Sequence, residues 1–260
     1  MTYLVIKCGG SVLDEIHPSF YKNIVEIQKE GLQPIVVHGG GPMISNLLTK
    51  LNVETKFVDG LRVTDEKILD VAEMVLSGSM NKEIVRKLQT AGGKAGGLSG
   101  VDGKLLQATA LDDKLGFVGK VEKVNVEFLE YLCKWGLIPV ISPIAIDDHG
   151  QRWNINADLA ASAIAKALNA TLFLITNVSG VLQNGRVLNH LTPSKITNLI
   201  ENGTITGGMM PKVTAAIECL EEGIEEVVIL NGLEENALLS YVKGVPMGTT
   251  ITKKEYISSR

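Results

Sequence analysis

The sequence predicts an α/β fold, a three-layer sandwich with a mostly parallel central sheet, because buried strands alternate with amphipathic helices along the chain. Apolar runs with little polar alternation are typical of strands buried on both faces, and they occur at residues 3–6, 34–37, 137–146, 171–176 and 226–230. Between them, apolar residues recur at helical spacing, as in Ile44, Leu47, Leu48 and Leu51, in Ile68, Ala72, Val75 and Leu76, and in Val213, Ala216, Ile217 and Leu220.

The stretch from residue 91 to 124 departs from this alternation. It is rich in glycine and contains short alternating runs at residues 104–109 and 117–121, which predict small antiparallel β-hairpins at the edge of the sheet. A new strand–loop–helix series begins at residue 171. We therefore expect an N-terminal lobe over residues 1–170 and a C-terminal lobe over residues 171–260, sharing one continuous sheet.

Composition excludes several classes of protein. Of the 260 residues, 45% are hydrophobic and 21% are charged, which is typical of a folded globular chain. The net charge is −4 and the basic residues are scattered, so no nucleic-acid partner is expected. No apolar run reaches the length of a membrane span, and the first residues are too short an apolar stretch for a secretory leader. We therefore expect a cytoplasmic protein without a membrane partner.

Cysteine and histidine patterns point away from structural disulfides and protein-held metals. Cys8, Cys133 and Cys219 are odd in number and far apart, which argues against a disulfide framework. The four histidines show no metal-ligand spacing with them. The sequence therefore predicts a reducing compartment and no metal site built from protein side chains.

Glycine loops follow three of the predicted strands. Gly9 and Gly10 follow the first strand, residues 39–41 are three glycines after the second, and Gly180 follows the strand that ends at residue 176. Ligands of open α/β sheets bind at the carboxyl ends of strands. Glycine there lets backbone N–H groups approach an anion closely, and a following helix N-terminus favours negative charge. A single such loop is more often an ordinary tight turn, whereas three predict a site for a phosphate-bearing ligand and an anionic acceptor.

Three familiar loop motifs are absent. The chain has no G-x-x-x-x-G-K-[ST] and no G-x-G-x-x-G that opens a helix after a strand, which excludes a P-loop enzyme and leaves dinucleotide binding unsupported. His38-Gly39-Gly40-Gly41 resembles the oxyanion loop of esterases, but no serine has glycine two residues away on both sides. The hydrolase interpretation therefore fails.

Four charged residues lie near these loops. Lys7 ends the first strand beside Gly9, where it is either a strand-end lysine or a phosphate ligand. Lys212 opens a helix, against the preference of a cation for the other end, so it is either a solvated lysine or the partner of an anion. Asp158 is equally compatible with a helix cap. Arg62 could bind a carboxylate through its planar guanidinium group, although a lone arginine is more often on the surface.

Six sequence blocks together resemble the amino acid kinase family, and within it the kinases of N-acetylglutamate. The resemblance covers nearly the whole chain in order, and the third and fourth blocks are the ones most particular to that acceptor. The blocks are Lys7-Cys8-Gly9-Gly10, Val37-His38-Gly39-Gly40-Gly41-Pro42, Gly60-Leu61-Arg62-Val63-Thr64, Asn154-Ile155-Asn156-Ala157-Asp158, Val178-Ser179-Gly180-Val181 and Gly207-Gly208-Met209-Met210-Pro211-Lys212.

The resemblance implies ATP, with Mg²⁺ carried by the nucleotide, as phosphoryl donor and N-acetyl-L-glutamate as acceptor in arginine biosynthesis. It implies that Lys7 and Lys212 stabilise the transferring phosphoryl group and that Asp158 holds both lysines. The acceptor would be bound by Gly40, Gly41, Arg62 and Asn154. The nucleotide would be bound by Gly9, Gly10, Ser11, Asn177, Val178, Ser179, Gly180, Val181, Leu182, Thr204, Ile205 and Thr206.

The sequence departs from the family pattern at Asn177, where members often carry aspartate, so the resemblance does not imply a charged contact to the nucleotide or its metal at this position. Arginine-inhibited members carry an N-terminal helix that joins dimers into a ring. Only six residues precede Lys7, so we expect a homodimer with little arginine inhibition by that route. Two alternatives remain open, which are a related kinase of carbamate, a nucleoside monophosphate, aspartate or glutamate, and a binding regulator without turnover.

Overall fold

Strands and helices alternate along the chain in the computed structural model, which describes residues 1–10 and 12–254. The strands of the described chain are β1 Tyr3–Cys8, β2 Gln33–His38, β3 Phe57–Val58, β4 Leu61–Arg62, β5 Ala95–Ser99, β6 Leu106–Ala110, β7 Val118–Val124, β8 Ile138–Ser142, β9 Ile144–Ile146, β10 Arg152–Ile155, β11 Thr171–Thr176, β12 Leu182–Gln183, β13 Arg186–Val187, β14 His190–Leu191, β15 Glu226–Asn231 and β16 Thr249–Thr252. The α-helices are α1 Ser19–Lys29, α2 Gly41–Lys50, α3 Glu66–Glu73, α4 Asn81–Thr90, α5 Val126–Lys134, α6 Ala157–Leu168, α7 Pro193–Glu201, α8 Met210–Glu221 and α9 Ala237–Val242.

The central sheet has eight strands in the order β14-β16-β15-β11-β1-β2-β8-β5. Every neighbouring pair is parallel except β15 and β16. Cys8 pairs with His38 on one side and with Ile175 on the other, so β1, β2 and β11 end at the same edge. The glycine loops after these three strands therefore lie next to one another at the carboxyl edge of the sheet, where open α/β sheets bind their ligands.

Helices cover both faces of the sheet, which confirms the predicted three-layer fold. Alternate residues of β1 enter two separate cores, with Val5 in one and Ile6 in the other, because successive side chains of a strand point to opposite faces. The first core includes α6 and α8, and the second includes α1, α3 and α4. The same alternation places Lys7 on the α6 side and His38 on the α4 side of the sheet.

Two expectations about strands need correction. The antiparallel hairpin predicted within residues 91–124 is present as β6 and β7, but these strands do not join the main sheet, because they close with β9 and β10 into a small four-stranded barrel. The apolar run over residues 137–146 is not one strand but two. The chain leaves the central sheet after Ser142 and enters the barrel at Ile144, and Pro143 between them has no N–H for a sheet ladder.

The helix predicted around Ile68 ends earlier than its apolar spacing indicates. The α-helical geometry of α3 ends at Glu73, and the chain continues without a break as a π-helix over Met74–Met80. Such π segments are rare and often lie at functional sites. In the part of the chain that the structure describes, no helix has the length and apolar character needed to cross a membrane.

Candidate active site

Lys7 and Asp158 form an ion pair at the carboxyl end of the central sheet, with Lys7 Nζ 2.8 Å from Asp158 Oδ1. β1 brings the lysine to this edge, and Asn156 caps α6 by accepting a hydrogen bond from the Asp158 N–H at 2.8 Å. The exposed fractions of the two side chains are 15% and 40%. The pair is thus fixed by the fold yet accessible to a ligand.

Lys212 lies in the first turn of α8 and lines a cavity together with Lys7 and Asp158. Burial lowers the pKa of Lys212, and the positive charge of Lys7 lowers that pKa further. Among the described residues, Lys212 has no ion-pair partner. Two ammonium groups that repel each other, with one carboxylate that pairs with Lys7, form a site with unused capacity for an anion.

The first two glycine loops are in backbone contact. A Cβ placed on Gly10 would lie 2.9 Å from the Cα of Gly40, and one on Gly40 would lie 2.5 Å from the sulfur of Met80. Both positions therefore require glycine for close approach, which the sequence motif alone indicated only in general terms. Ser11, which was predicted to contact the nucleotide phosphates, lies outside the described residues.

A cavity of about 230 Å³ opens above these loops and is lined by every residue predicted to bind the acceptor, together with Lys7 and Asp158. Asn154, on β10, donates from Nδ2 to Thr64 Oγ1 at 3.1 Å. The Thr64 hydroxyl in turn donates to the Arg62 carbonyl at 2.8 Å. The structure thus brings together Gly40, Gly41, Arg62 and Asn154, which are far apart in sequence.

Arg62 is buried, and its guanidinium group is held on one side only. Nη2 donates to the Gly41 carbonyl at 3.1 Å and to Ser45 Oγ at 2.7 Å, and the Phe57 ring lies 4.7 Å from Cζ. Nη1 is buried and has no hydrogen-bond partner among residues 1–10 and 12–254. Burial lowers the pKa of the guanidinium. A buried donor without a partner is costly, so this group is suited to bind a carboxylate.

A second cavity of about 240 Å³ lies on the other side of the Lys7–Asp158 pair. Gly9, Asn177 and Lys212 line it, together with the end of β11. The amine of Lys7 lies 3.8 Å from where a Cβ of Gly9 would be. Of the residues predicted to contact the nucleotide, Gly9 and Asn177 therefore lie directly at this cavity, whereas Gly10 lines the first one.

The other predicted nucleotide residues occupy two loops with different environments. Val178, Ser179 and Gly180 follow β11, and Leu182 is half-exposed at 50%. Thr204 and Thr206 lie in the loop that precedes α8. Val181 and Ile205 are buried in the hydrophobic core, so only their backbone atoms could contact a nucleotide.

Sequence reasoning missed the residues that orient Arg62 and Asn154 in the first cavity. Ser45 on α2 and Phe57 on β3 fix the guanidinium of Arg62, and Thr64 fixes Asn154. Supporting residues of this kind have no recognisable spacing in the sequence, because they act through contacts that only the fold creates. For Ser45 the available indication was its place in the first turns of the helix after the three glycines.

Within the described residues, no group of three or more histidine, cysteine, aspartate or glutamate side chains could hold a metal ion. Asp158 is the carboxylate that lines both cavities, and it is already paired with Lys7. A divalent cation at this site would therefore depend on ligand oxygens.

The amino-acid sequence matches the profile of the amino acid kinase family over residues 2–231. The chain belongs to the amino acid kinase family. An acetylglutamate kinase of Oceanobacillus iheyensis is 49% identical over 261 residues, which cover 98% of this chain and 98% of that protein. One of Geobacillus kaustophilus is 47% identical and covers 96% of each.

Solved structures share the fold of this family member. A protein from Streptococcus mutans UA159 is 32% identical with a TM-score of 0.80, covering 97% of this chain and 99% of that one. A carbamate kinase from Giardia lamblia bound to AMP-PNP has a TM-score of 0.70 at 17% identity, covering 97% of this chain and 99% of that one. At that identity the likeness shows the fold alone.

Proposed function

We propose that this protein transfers the γ-phosphoryl group of ATP to the γ-carboxylate of N-acetyl-L-glutamate, forming N-acetylglutamyl 5-phosphate for arginine biosynthesis. The observation that carries the proposal is the position of the Lys7–Asp158 pair, which lines both cavities. One cavity contains the Arg62 guanidinium, whose Nη1 has no partner among the described residues, and the other contains Lys212. Near-full-length similarity to acetylglutamate kinases supports the choice of acceptor.

The acceptor would occupy the cavity that contains Arg62. Its α-carboxylate would accept from Nη1, the buried donor that the described residues leave without a partner. Asn154 would bind the acetamido group, and backbone N–H groups of Gly40 and Gly41 would face the γ-carboxylate. This orientation would direct the γ-carboxylate toward Lys7 and the second cavity.

The chemistry requires positioning and charge stabilisation rather than a general base. A γ-carboxylate is ionised at pH 7, so one of its oxygens attacks the γ-phosphorus without losing a proton. The bond from that phosphorus to the β–γ bridging oxygen breaks, and ADP leaves with the electron pair. The main obstacle is the approach of two anions, which preorganised cations reduce.

Lys7 and Lys212 would provide that stabilisation. The pKa of Lys212 is lowered by burial and by Lys7, and the negative charge of a phosphoryl group next to the two amines would offset both effects. Asp158 fixes Lys7 directly and would hold Lys212 when the ligand is bound. Mg²⁺ would enter on ATP and neutralise part of the charge of its phosphates.

The nucleotide would bind in the second cavity and along the loops after β11 and before α8. Asn177 lies at this cavity in place of the common aspartate, and we propose that its amide contacts the nucleotide without charge. The first cavity is lined only by residues of the range 1–170. The second is lined by residues of both ranges, 1–170 and 171–260. This supports an acceptor lobe over 1–170 and a nucleotide lobe over 171–260, on one continuous sheet.

We further propose a cytoplasmic homodimer. All three cysteines are buried and unpaired, which fits a reducing compartment. The proposal of a homodimer is based on the resemblance to the family.

A hydroxylamine trap tests the proposed reaction. The purified protein is incubated with Mg-ATP, N-acetylglutamate and hydroxylamine, and hydroxamate is measured, since an acyl phosphate is converted to a hydroxamate. We expect hydroxamate from N-acetylglutamate and far less from glutamate, because binding the unacetylated acceptor buries a charged amine and leaves a polar partner unpaired. Equal turnover of the two acceptors, or none with N-acetylglutamate, would contradict the proposal.

A further inference from the structure

The histidine before the three glycines is fully buried on the side of the sheet away from Lys7. His38 is the last residue of β2 and is 0% exposed. Burial lowers the pKa of its imidazole to about 4, so the ring is neutral at neutral pH. A neutral imidazole donates from one nitrogen and accepts at the other.

The contacts of His38 determine which nitrogen carries the proton. Nδ1 lies 3.1 Å from the Gly39 carbonyl oxygen, which can only accept, so Nδ1 is the donor. Nε2 lies 3.2 Å from Asn81 Nδ2, which can only donate, so Nε2 is the acceptor. The two contacts require the same tautomer, and they hold the ring from both ends.

Asn81 is itself fixed on every side. It is 0% exposed. The two hydrogens of its Nδ2 are shared among His38 Nε2, the Leu98 carbonyl at 3.2 Å and the Val140 carbonyl at 2.9 Å, and its Oδ1 accepts from Lys82 Nζ at 2.9 Å. A Cβ on Gly97 would collide with Asn81 Oδ1, so the neighbouring strand leaves space for this amide only because it has glycine there. Asn81 directly follows the π-helix whose Met80 contacts Gly40.

The Gly39 carbonyl controls the direction of the next N–H group. In a planar trans peptide the carbonyl of residue 39 and the N–H of residue 40 point in opposite directions. His38 holds that carbonyl on the α4 side of the sheet. The Gly40 N–H donates to no other backbone group of the described residues. It should therefore point away from the α4 side, and Gly40 itself lines the first cavity.

We propose that His38, oriented by Asn81, is a positioning residue that fixes the Gly39–Gly40 peptide so that the Gly40 N–H faces the acceptor. The inference rests on the proposed function for the identity of that acceptor. Without the ring contact the peptide can rotate, and the donor no longer points at the γ-carboxylate. A displaced donor affects acceptor binding and phosphoryl transfer but not nucleotide binding.

The test compares four single variants and one double variant by steady-state kinetics in the hydroxamate assay. His38→Leu removes both ring contacts, His38→Asn keeps an amide nitrogen able to replace Nδ1, and Asn81→Ala removes the partner of Nε2. Ile27→Ala is the matched control, because Ile27 belongs to the same core from α1 and takes no part in the hydrogen bonds of His38. We expect kcat/KM for N-acetylglutamate to fall roughly ten- to a hundred-fold in His38→Leu, with the KM for ATP changed less than about two-fold.

We expect two further results from the same kinetic comparison. His38→Asn recovers most of the loss, and the effects of His38→Leu and Asn81→Ala do not add in the double variant, because the residues act as one unit. The inference is overturned if His38→Leu keeps wild-type kcat/KM for the acceptor, or if Ile27→Ala loses acceptor activity to the same extent.

A measurement without turnover separates this inference from the proposed function. The backbone amide NMR signal of Gly40 should shift in His38→Leu and return toward its wild-type position in His38→Asn, whether or not the protein is active. If wild type forms no hydroxamate, the proposed function fails while the amide signal still decides the positioning role. An unchanged Gly40 signal in His38→Leu overturns that role.

Discussion

Lys7 and Asp158 face each other at 2.8 Å where the two ligand cavities meet. The carboxylate compensates the charge of one lysine and leaves the other, Lys212, without an ion-pair partner among the described residues. The site therefore holds an excess of positive charge where a phosphoryl group would pass between two ligands.

Replacing Asp158 with asparagine should lower kcat by about ten-fold, less than loss of a lysine, because the carboxylate positions the amines without contacting the phosphoryl. The effect should not add to that of Lys7→Ala, since the two groups act as a unit. Asp148→Asn is the matched control, because it breaks the exposed Lys104–Asp148 pair outside the site, which contributes little. Steady-state kinetics of the single and double variants measure this. Full additivity would contradict the positioning role.

Replacing Arg62 with lysine should raise the KM for N-acetylglutamate and leave kcat at saturating acceptor nearly unchanged. Lysine retains the charge but not the planar arrangement of donors that binds a carboxylate and contacts Ser45. Loss of a hydrogen bond to a charged group costs about 1.5–3 kcal/mol, or roughly ten- to a hundred-fold in affinity. Arg86→Lys, at an exposed arginine of α4, is the control. An unchanged KM in Arg62→Lys would remove this residue from the acceptor site.

The acid sensitivity of folding should depend on His38. The pKa of its imidazole is about 4 in the folded protein and 6.5 ordinarily, so between these values the unfolded chain binds the extra proton. Stability from the neutral ring is thus fully present above pH 6.5 and is lost as the pH falls toward 4. From pH 7 to pH 5 the free energy of unfolding should fall about 2 kcal/mol more in wild type than in His38→Leu. Parallel urea-unfolding results for the two proteins at both pH values would contradict the buried neutral ring.

The sequence was sufficient to predict the main strands and the loops that follow them. Residues 3–6 and 171–176 are continuous apolar runs, because parallel strands in the middle of a sheet are buried on both faces. Glycines at the ends of such strands then predict the ligand edge. The position of Lys7 followed from the same reasoning, since a charge at the end of a buried strand needs a partner.

Other parts of the fold could not be predicted, because they depend on tertiary contacts. β5 has the sequence Ala-Gly-Gly-Leu-Ser, whose glycines have low strand propensity, and it is a strand because it pairs with β8. The π-helix before Asn81 continues the apolar periodicity of α3 and cannot be distinguished from it by spacing. The orientation of Arg62 by Ser45 depends on α2 and β4 meeting in space.

The central claim is that Lys7 and Lys212 stabilise the transferring phosphoryl group, and Lys212→Ala tests it most directly. If both amines contact charge that develops during transfer, each interaction is stronger in the transition state than with bound substrates. Loss of such a donor typically lowers kcat about 10²–10³-fold, or roughly 3–4 kcal/mol. Lys7→Arg should not restore activity fully, because a planar guanidinium cannot replace a compact ammonium group beside Gly9.

The measurement is kcat and the KM for ATP in Lys212→Ala at saturating N-acetylglutamate, with Lys67→Ala, an exposed lysine of α3, as the control. The account predicts a kcat about 10²–10³-fold below wild type with a KM for ATP that changes much less. A raised KM for ATP with kcat near wild type at saturating nucleotide would show that Lys212 only holds ATP, and would contradict the mechanism.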